Sequence, residues 1–374
     1  MWSSSEPAAP GDSLARVDTP ALILDLDAFE ANLAALHGYA AARGVRVRAH
    51  GKAHRCPEIA RRQIAGGARG ICCQKVGEAE GFAAARIDDI LVSNEIVDAA
   101  KLARLALLAR TTRLAVCVDH AQAVHALARA CRDAQAQVDV LIELDVGQGR
   151  CGVRSADDAL ALARDIAAAP ALRLRGLQAY HGSAQHLRAP GERAVSIAAA
   201  ARRAAQVRDA LEAAGFACAE ISGGGTGTFA YEVASGVYTE IQPGSYALMD
   251  LDYRANQADP ALPAMRQAIG VMMSVMSVHR THAVLDGGLK AVSVDSGAPA
   301  PRLPGWRVRG VSDEHTVIEP VDASVAAPPL ALGSRIVLDP GHCDPTVNLH
   351  DHVVAFRGDR VEAVWQVLAR GASR

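Results

Sequence analysis

Lysine is scarce in this sequence, and several common sequence signals are missing. Of 39 basic residues only four are lysines, at positions 52, 75, 101 and 290. No apolar run is long enough to span a bilayer, and the first twenty residues lack the apolar core of a secretory signal. The eight cysteines include no CxxC pair, so their spacing indicates neither a disulfide framework nor a zinc knuckle. We expect a cytoplasmic protein with reduced thiols and no membrane partner.

The charge balance also excludes some partners. The 39 basic and 41 acidic residues leave a formal net charge of −2, which gives no electrostatic reason to expect nucleic acid as a partner. No GK[ST] motif occurs, which disfavours nucleotide hydrolysis. The 374 residues, half of them hydrophobic, can form two domains or one large barrel with an appendage.

From residue 45 onward, short apolar runs alternate with longer Ala-rich segments of helical period. The eight runs are 45–50, 69–74, 89–94, 113–119, 138–145, 172–180, 217–222 and 237–242. The helical segments between them are 57–64, 77–85, 99–108, 121–134, 156–168 and 196–214. Eight strand–helix units predict a (β/α)8 barrel of the TIM type, with a doubly wound open sheet as the alternative.

The two ends of the chain do not fit this repeat. PALILDL (20–26) is an extra strand followed by a helix over 28–42, and helical patterning fades beyond residue 252. Six β-rich segments then follow, at 271–279, 282–288, 306–312, 334–340, 351–358 and 360–371, with loops expected over 253–269 and 319–333. The predicted division is a polar tail (1–18), a barrel (27–250) and an antiparallel β-domain (19–26 with 251–374).

Lys52 is the lysine whose position is most suggestive of chemistry. Arginine cannot form a Schiff base whereas lysine can, so a lysine retained in an arginine-rich chain is of interest. Lys52 follows the first barrel strand, where functional groups of such barrels gather, and it is flanked by Gly51 and by His50 and His54. Lys75 lies at a similar junction. The alternative role for a lysine at a barrel mouth is helix capping.

Two glycine-containing segments follow the seventh and eighth strands. They are SGGGTG, with Gly223, Gly224, Gly225, Thr226 and Gly227, and PGSY, with Ser245 and Tyr246. Barrels commonly bind phosphate with these two loops, because backbone N–H groups can crowd around the anion. A tight barrel corner is the alternative.

A phosphate site facing a lysine points to pyridoxal phosphate. Arg150, after the fifth strand, is placed to hold the cofactor's phenolate oxygen, and the loop after the sixth strand offers Tyr180, His181 and His186. A histidine in this loop suits proton transfer near neutral pH.

The segment DPGHCDPTVNLHDH (339–352) is a candidate metal site. If it is extended, His342 and Asp344 point to one side and Cys343 to the other. Imidazole plus carboxylate suits Mn²⁺ or Mg²⁺. A turn with an aspartate cap is the alternative, and His350 and His352 are further candidates.

Together these motifs resemble the D-threonine aldolase family, within the alanine-racemase-like fold of pyridoxal-phosphate enzymes. The resemblance covers nearly the whole chain, and its specific parts are HGKAHRCPEIA, GARGICCQKVGEAE, ELDVGQGRCGV, LQAYHGSAQH, SGGGTGT, SDEH (312–315) and GHCDPTVNLHD. By motif, 3-hydroxy-D-aspartate aldolases are also similar, and D-serine dehydratases resemble the chain more distantly.

The resemblance implies a set of residue roles. Lys52 would bind the cofactor covalently, Arg150 would contact its O3′ and Tyr180 its ring. Phosphate would be held by Gly224, Gly225, Thr226, Gly227, Ser245 and Tyr246. His186 would be the base, and His342 with Asp344 would hold a divalent metal, Mn²⁺ before Mg²⁺. A dehydratase of this fold is expected to have cysteine in place of Asp344.

The activity implied is cleavage of a D-β-hydroxy-α-amino acid to glycine and an aldehyde by a homodimer. Elimination from D-serine, racemisation and a non-catalytic pyridoxal-phosphate carrier stay as alternatives. The sequence leaves open the preferred β-substituent, the metal, the role of Asp313, Glu314 and His315, and whether His181 or His186 is the base.

Overall fold

The computed structural model describes residues 6–260, 262–322 and 329–374. The first strand and helix are β1 (Ala21–Asp25) and α1 (Leu26–Ala41). The next eight strands pair in parallel and close into a barrel: β2 (Arg46–His50), β3 (Gly70–Cys73), β4 (Asp89–Glu95), β5 (Arg113–Val118), β6 (Val138–Glu143), β7 (Leu172–Gln178), β8 (Glu220–Gly223) and β9 (Glu240–Ile241). The predicted closed barrel is therefore confirmed, and the open sheet is not found.

Helices connect the barrel strands and cover them. They are α2 (Pro57–Ala65), α3 (Val76–Ala84), α4 (Ala99–Leu108), α5 (Ala121–Asp133), α6 (Ala156–Ala167), α7 (Pro190–Ala213), α8 (Phe229–Ala234) and, after the last strand, α9 (Leu251–Arg254). Several begin at classical start signals: Asp98 and Ser155 cap α4 and α6, and Pro57 occupies the first turn of α2. No helix among the described residues has the length and apolarity needed to cross a membrane.

Alternation along the barrel strands arranges the inward-facing side chains in layers. Toward the amino ends, buried Arg48 binds Asp89 at 2.6 Å and Glu240 at 2.9 Å. A small apolar cluster comes next, made of Cys72, Leu91, Cys117 and Leu141. Polar side chains follow at or just past the carboxyl ends: His50, Gln74, Ser93, Glu143, Gln178 and Gln242. The interior of the barrel is thus closely packed along the strands, and it is lined by polar side chains at the carboxyl ends of the strands.

The described residues outside the barrel include a nine-stranded sheet, to which β1 belongs. Its other strands are β10 (Ile269–Val278), β11 (Ala283–Leu285), β12 (Ala300–Pro301), β13 (Trp306–Val311), β14 (Thr316–Pro320), β15 (Arg335–Asp339), β16 (His352–Arg357) and β17 (Arg360–Gln366), and the helix α10 (Cys343–Val347) lies between β15 and β16. The pairing is antiparallel except between β1 and β16, which run parallel. The antiparallel β-domain predicted from the sequence is therefore confirmed, with one parallel pair inside it.

Three local predictions need correction or comment. The segment after β15 is not extended, because α10 begins at Cys343. The strand β14 occupies the start of the stretch expected to be a loop over 319–333, and 323–328 of that stretch lie outside the described residues. The polar segment before β1 packs on the last hairpin: Gly11 N donates to Val361 O at 2.8 Å, and Val17 is fully buried.

Candidate active site

A cavity of about 300 Å³ opens at the carboxyl ends of the barrel strands. Its floor is formed by polar side chains, His50, Gln74, Ser93, Gln178 and Gln242. Its walls come from the loops that follow the strands, with Lys52, Arg150, Tyr180, Gly225, Thr226, Gly244, Ser245 and Tyr253. The volume is at the lower end of the range for small-molecule sites, and the lining offers many polar groups to orient a ligand.

Lys52 is the one lysine, among those the structure describes, that lines this cavity. It stands in a single turn directly after β2. The preceding residue, Gly51, has no room for a side chain, because a Cβ there would lie 2.6 Å from the Phe82 ring. Lys101 is on α4, and Lys290 pairs with Glu314 on the surface. The position after the first barrel strand therefore does place Lys52 in the pocket.

The Lys52 amine binds the carboxylate of Asp344, with Nζ 2.5 Å from Oδ2. Burial alone would lower the pKa of Lys52, but the charge and the hydrogen bond of Asp344, with smaller contributions from Tyr180 and Cys343, together hold it above its ordinary value. Burial would likewise raise the pKa of Asp344, and Lys52 and His342 together hold it well below its usual range. In this state the amine is charged, and it becomes a nucleophile only after losing its proton.

The two histidines beside Lys52 have different roles. His50 lines the cavity, with Nε2 3.0 Å from Gln74 Nε2, and burial holds its pKa well below the usual value. His54 is fully buried and bonds Gln63 at 3.1 Å, and burial lowers its pKa to about 4. His54 is therefore a structural residue, whereas His50 is available to a ligand.

Arg150 and Tyr180 face the cavity from neighbouring loops. The Arg150 guanidinium lies 5.9 Å from the centre of the Tyr180 ring, and its Nη2 is 3.9 Å from Glu143 Oε1. Burial and the charge of Glu95 raise the pKa of Glu143 to about 8, and Arg150 opposes that rise. The Arg150 guanidinium is thus available in the cavity wall to bind an anionic oxygen of a ligand.

The glycine loop has the features of a phosphate cradle. Among the described residues, the backbone N–H groups of Gly225 and Thr226 donate to no protein acceptor. A Cβ on Gly225 would lie 2.6 Å from Gln185 Oε1, so a larger residue would alter the wall of the cavity. Unpartnered N–H groups at a glycine turn suit a phosphate. With Lys52 and Arg150, they make the cavity fit pyridoxal phosphate.

Other residues expected to hold phosphate are placed differently. The Tyr246 side chain is fully buried, and its hydroxyl bonds His37 Nε2 at 2.7 Å, so the phenol lies in the core and not in the cavity. Gly227 N donates to Gln185 Oε1 at 3.0 Å and is already satisfied. Gly224 adopts the left-handed conformation that turns the loop, with φ +75°. Ser245 faces the cavity, and its Oγ donates to Asp344 at 3.2 Å.

His342 and Asp344 converge at the cavity edge. His342 precedes the first turn of α10 and Asp344 lies within it, so they meet through a helix start and not through strand alternation. His342 Nε2 is 3.9 Å from Asp344 Oδ1. Two atoms that each bind one ion at about 2.1 Å can be up to about 4.2 Å apart. The pair therefore fits a divalent ion, and its nitrogen and oxygen donors suit Mn²⁺ or Mg²⁺.

The structure separates the two candidate bases. His186 is 47% exposed, with Nδ1 2.8 Å from Asp252 Oδ2 and its ring 5.4 Å from the ring of Tyr253, which lines the cavity. His181 is buried, and Gly147 packs so closely that a Cβ there would lie 3.0 Å from Nε2. The backbone N–H of Asp252 donates to Gly341 O at 3.1 Å, which places the His186 partner next to the segment bearing His342.

The remaining candidates lie away from the cavity. His350 is buried and bonds Ala291 O at 2.7 Å, which is a structural contact. His352 begins β16. The residues 313–315 lie exposed in the turn between β13 and β14, where Glu314 pairs with Lys290.

Several cavity residues were not identified from the sequence. Gln74, Ser93, Gln178 and Gln242 all stand at the carboxyl ends of barrel strands, and that position was a usable signal. Tyr253, in α9, follows the barrel and carried no such signal.

The closed parallel barrel, with a lysine and a glycine loop at its carboxyl end, has the alanine-racemase-like fold. Residues 24–252 match the alanine racemase N-terminal domain, and residues 268–356 match a putative serine dehydratase domain. A D-threonine aldolase of Arthrobacter sp. is 51% identical over 98% of this chain and 97% of its own length. The chain belongs to the D-threonine aldolase family.

Further relatives agree with this assignment. A 3-hydroxy-D-aspartate aldolase of Paracoccus denitrificans is 43% identical over 98% of this chain and 95% of its own. The crystal structure of D-threonine aldolase from Filomicrobium marinum superposes with a TM-score of 0.95 at 45% identity, covering 98% of this chain and all of that one. The D-threo-3-hydroxyaspartate dehydratase of Delftia sp. HT23 gives 0.82 at 29% identity over 95% and 98%.

Proposed function

We propose that this carbon–carbon lyase cleaves D-β-hydroxy-α-amino acids of the D-threonine type to glycine and an aldehyde. Pyridoxal phosphate is bound covalently by Lys52, and a divalent metal by His342 and Asp344. The observation that carries the proposal is the contact between these groups. Lys52 lines the cavity and its Nζ lies 2.5 Å from Asp344 Oδ2, and Asp344 Oδ1 lies 3.9 Å from His342 Nε2. Retro-aldol cleavage needs an electron sink at Cα and removal of the β-hydroxyl proton; the cofactor held by Lys52 would supply the first, and the metal site would assist the second.

The residues around the cavity divide the work. When bound, pyridoxal phosphate withdraws electrons from the substrate's Cα, so that a bond at that carbon can break. Arg150 would hold the cofactor's O3′, Tyr180 would contact its ring, and Gly225, Thr226 and Ser245 would receive its phosphate. A divalent metal lowers the pKa of a hydroxyl that it binds. Held by His342 and Asp344, the metal would supply that effect beside Lys52.

His186 takes the proton of the β-hydroxyl in this proposal. Asp252 Oδ2 lies 2.8 Å from His186 Nδ1, and the His186 ring is tilted against the ring of Tyr253, which lines the cavity. We expect His186→Ala to lower kcat by about 10²- to 10⁴-fold, because general-base catalysis contributes that much. The matched control is His181→Ala, which should retain most of the enzyme's activity, because His181 Nδ1 faces Ser183 Oγ at 3.2 Å.

Steady-state kinetics on both variants, with cofactor absorption as a check of loading, tests this assignment. A large kcat loss in the His181 variant alone would reverse it.

Asp344 favours cleavage over elimination. Structures of a D-threo-3-hydroxyaspartate dehydratase include a histidine-to-alanine mutant and a cysteine-to-alanine mutant described as metal-free, and the two mutated positions are two apart. The same spacing here gives histidine and aspartate. We take the two pairs as equivalent, so that a harder donor would stand here where that dehydratase has a thiol. A 3-hydroxy-D-aspartate substrate is the second candidate, supported by the 43% identical relative.

The function is tested by supplying D-threonine to purified protein with pyridoxal phosphate and Mn²⁺, with and without chelator. We expect equal amounts of acetaldehyde and glycine, lost on chelation and absent with L-threonine. 3-Hydroxy-D-aspartate in a parallel assay ranks the two substrates. Ammonia without aldehyde would instead mean elimination and would remove the aldolase assignment.

The assembly and location are also proposals. We propose a homodimer acting in the cytoplasm, with a barrel over 27–250 and a β-domain formed by 19–26 and 251–374 that carries the metal site. Mn²⁺ is proposed as the metal ahead of Mg²⁺. Sedimentation measures the oligomeric state, and the activity with Mn²⁺ and with Mg²⁺ in turn measures the metal preference.

A further inference from the structure

The two ring nitrogens of His342 face different carboxylates. Nε2 lies 3.9 Å from Asp344 Oδ1, whereas Nδ1 lies 2.9 Å from Asp295 Oδ2. A histidine that binds a metal through one nitrogen commonly donates the other N–H to a carboxylate. This arrangement leaves Nε2 for the metal and gives the Nδ1 proton to Asp295.

Asp295 is itself held in place within the loop 293–297. Its Oδ1 accepts from Ser293 Oγ at 2.8 Å, and its Oδ2, which faces His342, also accepts from Ser296 Oγ at 3.4 Å. Its backbone N–H donates to Ser293 Oγ at 3.4 Å. The carboxylate is 49% exposed, so these bonds and not burial fix its direction.

The loop 293–297 is fastened to the segment that bears the metal residues. Ser293 N donates to Thr346 Oγ1 at 3.2 Å, and Thr346 Oγ1 donates to His342 O at 2.8 Å. Gly341 allows a close approach from the other side, because a Cβ there would lie 2.4 Å from Gly297 O. Asp295 and His342 are therefore held against each other by contacts on both sides of the histidine.

We infer that Asp295 is a positioning residue for the metal, acting through His342; this rests on the proposed metal site. The carboxylate keeps the proton on Nδ1, sets the ring direction, and makes Nε2 a stronger donor. Asp295 touches neither substrate nor cofactor in this role. Its loss therefore weakens metal binding and leaves cofactor binding intact.

The test measures Mn²⁺ affinity directly, by the electron paramagnetic resonance signal of free Mn²⁺ during titration of the pyridoxal-phosphate-loaded protein. We expect Asp295→Ala to raise the Mn²⁺ dissociation constant about 10- to 100-fold, because removing the carboxylate partner of a metal-binding histidine typically weakens metal binding by that factor. Asp295→Asn keeps an oxygen acceptor and should show a smaller rise. Activity at saturating Mn²⁺ should return toward the original kcat. Asp359→Asn, an exposed carboxylate at the turn between β16 and β17, is the matched control and should bind Mn²⁺ normally.

Each outcome is decisive when His342→Ala is titrated beside these variants. Weaker binding in both His342→Ala and Asp295→Ala supports the inference. Normal affinity in Asp295→Ala with weak binding in His342→Ala overturns the role of Asp295 alone. Normal affinity in both overturns the metal site as well. Thermal unfolding identifies a misfolded alanine variant, in which case the asparagine variant gives the answer.

Discussion

Replacing Lys52 by alanine is expected to abolish aldol cleavage and to remove the visible absorption band of the protein-bound cofactor. Lys52 is the lysine in the cavity among the residues described, and alanine offers no amine to condense with an aldehyde. We expect kcat/KM to fall by at least about 10³-fold, because both covalent attachment and the proton transfers of the amine are lost. Absorption spectra and aldehyde release on the same preparations measure the two effects.

Lys52→Arg separates the lost charge from the lost chemistry. Arginine keeps a cation next to Asp344, so the ion pair now made by Lys52 is conserved, but arginine cannot form a Schiff base. It should be as inactive as the alanine variant while unfolding at nearly the original temperature. Lys75→Ala is the matched control, since Lys75 also stands between a strand and a helix but does not line the cavity. A visible band retained in Lys52→Ala and lost in Lys75→Ala would move the cofactor lysine.

The barrel was accessible from sequence because each strand is a short apolar run and each helix has a regular period. The predicted runs at 89–94 and 113–119, for example, differ from β4 and β5 by a single residue at one end. Lys52 was accessible for the same reason, since its position after the first strand fixes which end of the barrel it occupies. These inferences needed only local patterns.

The details of the site were less accessible, because they depend on contacts between distant parts of the chain. The pairing of His342 with Asp344 was argued for an extended segment, but α10 begins at Cys343 and includes Pro345. Proline is compatible with a first helical turn, where its missing N–H would have no partner in the helix. The Tyr246 phenol lies outside the cavity, where its hydroxyl bonds His37 in α1. The carboxylate partner of His342 lies 47 residues away at Asp295. No spacing rule connects such pairs.

Asp344→Ala should suppress aldol cleavage while pyridoxal phosphate stays bound. The aspartate is half of the proposed metal pair, and alanine leaves His342 as the single protein ligand of the two. We expect a loss on the order of 10³-fold in kcat, because metal activation of the hydroxyl contributes several kcal/mol. The visible band should persist, since removal of Asp344 frees the Lys52 amine from its ion pair. Cofactor absorption and Mn²⁺-dependent aldehyde release test the two halves of this expectation.

Two comparisons make the result specific to the metal. Asp351→Ala removes a nearby exposed carboxylate, paired with Arg370, and should leave cleavage unchanged. Asp344→Asn keeps the shape and one oxygen donor but loses the charge, so excess Mn²⁺ should restore more activity to it than to Asp344→Ala. Unchanged metal-dependent cleavage in Asp344→Ala would remove this residue from the site. Loss of the visible band together with activity would instead mean that Asp344 acts mainly on Lys52, by holding the amine where the cofactor reaches it.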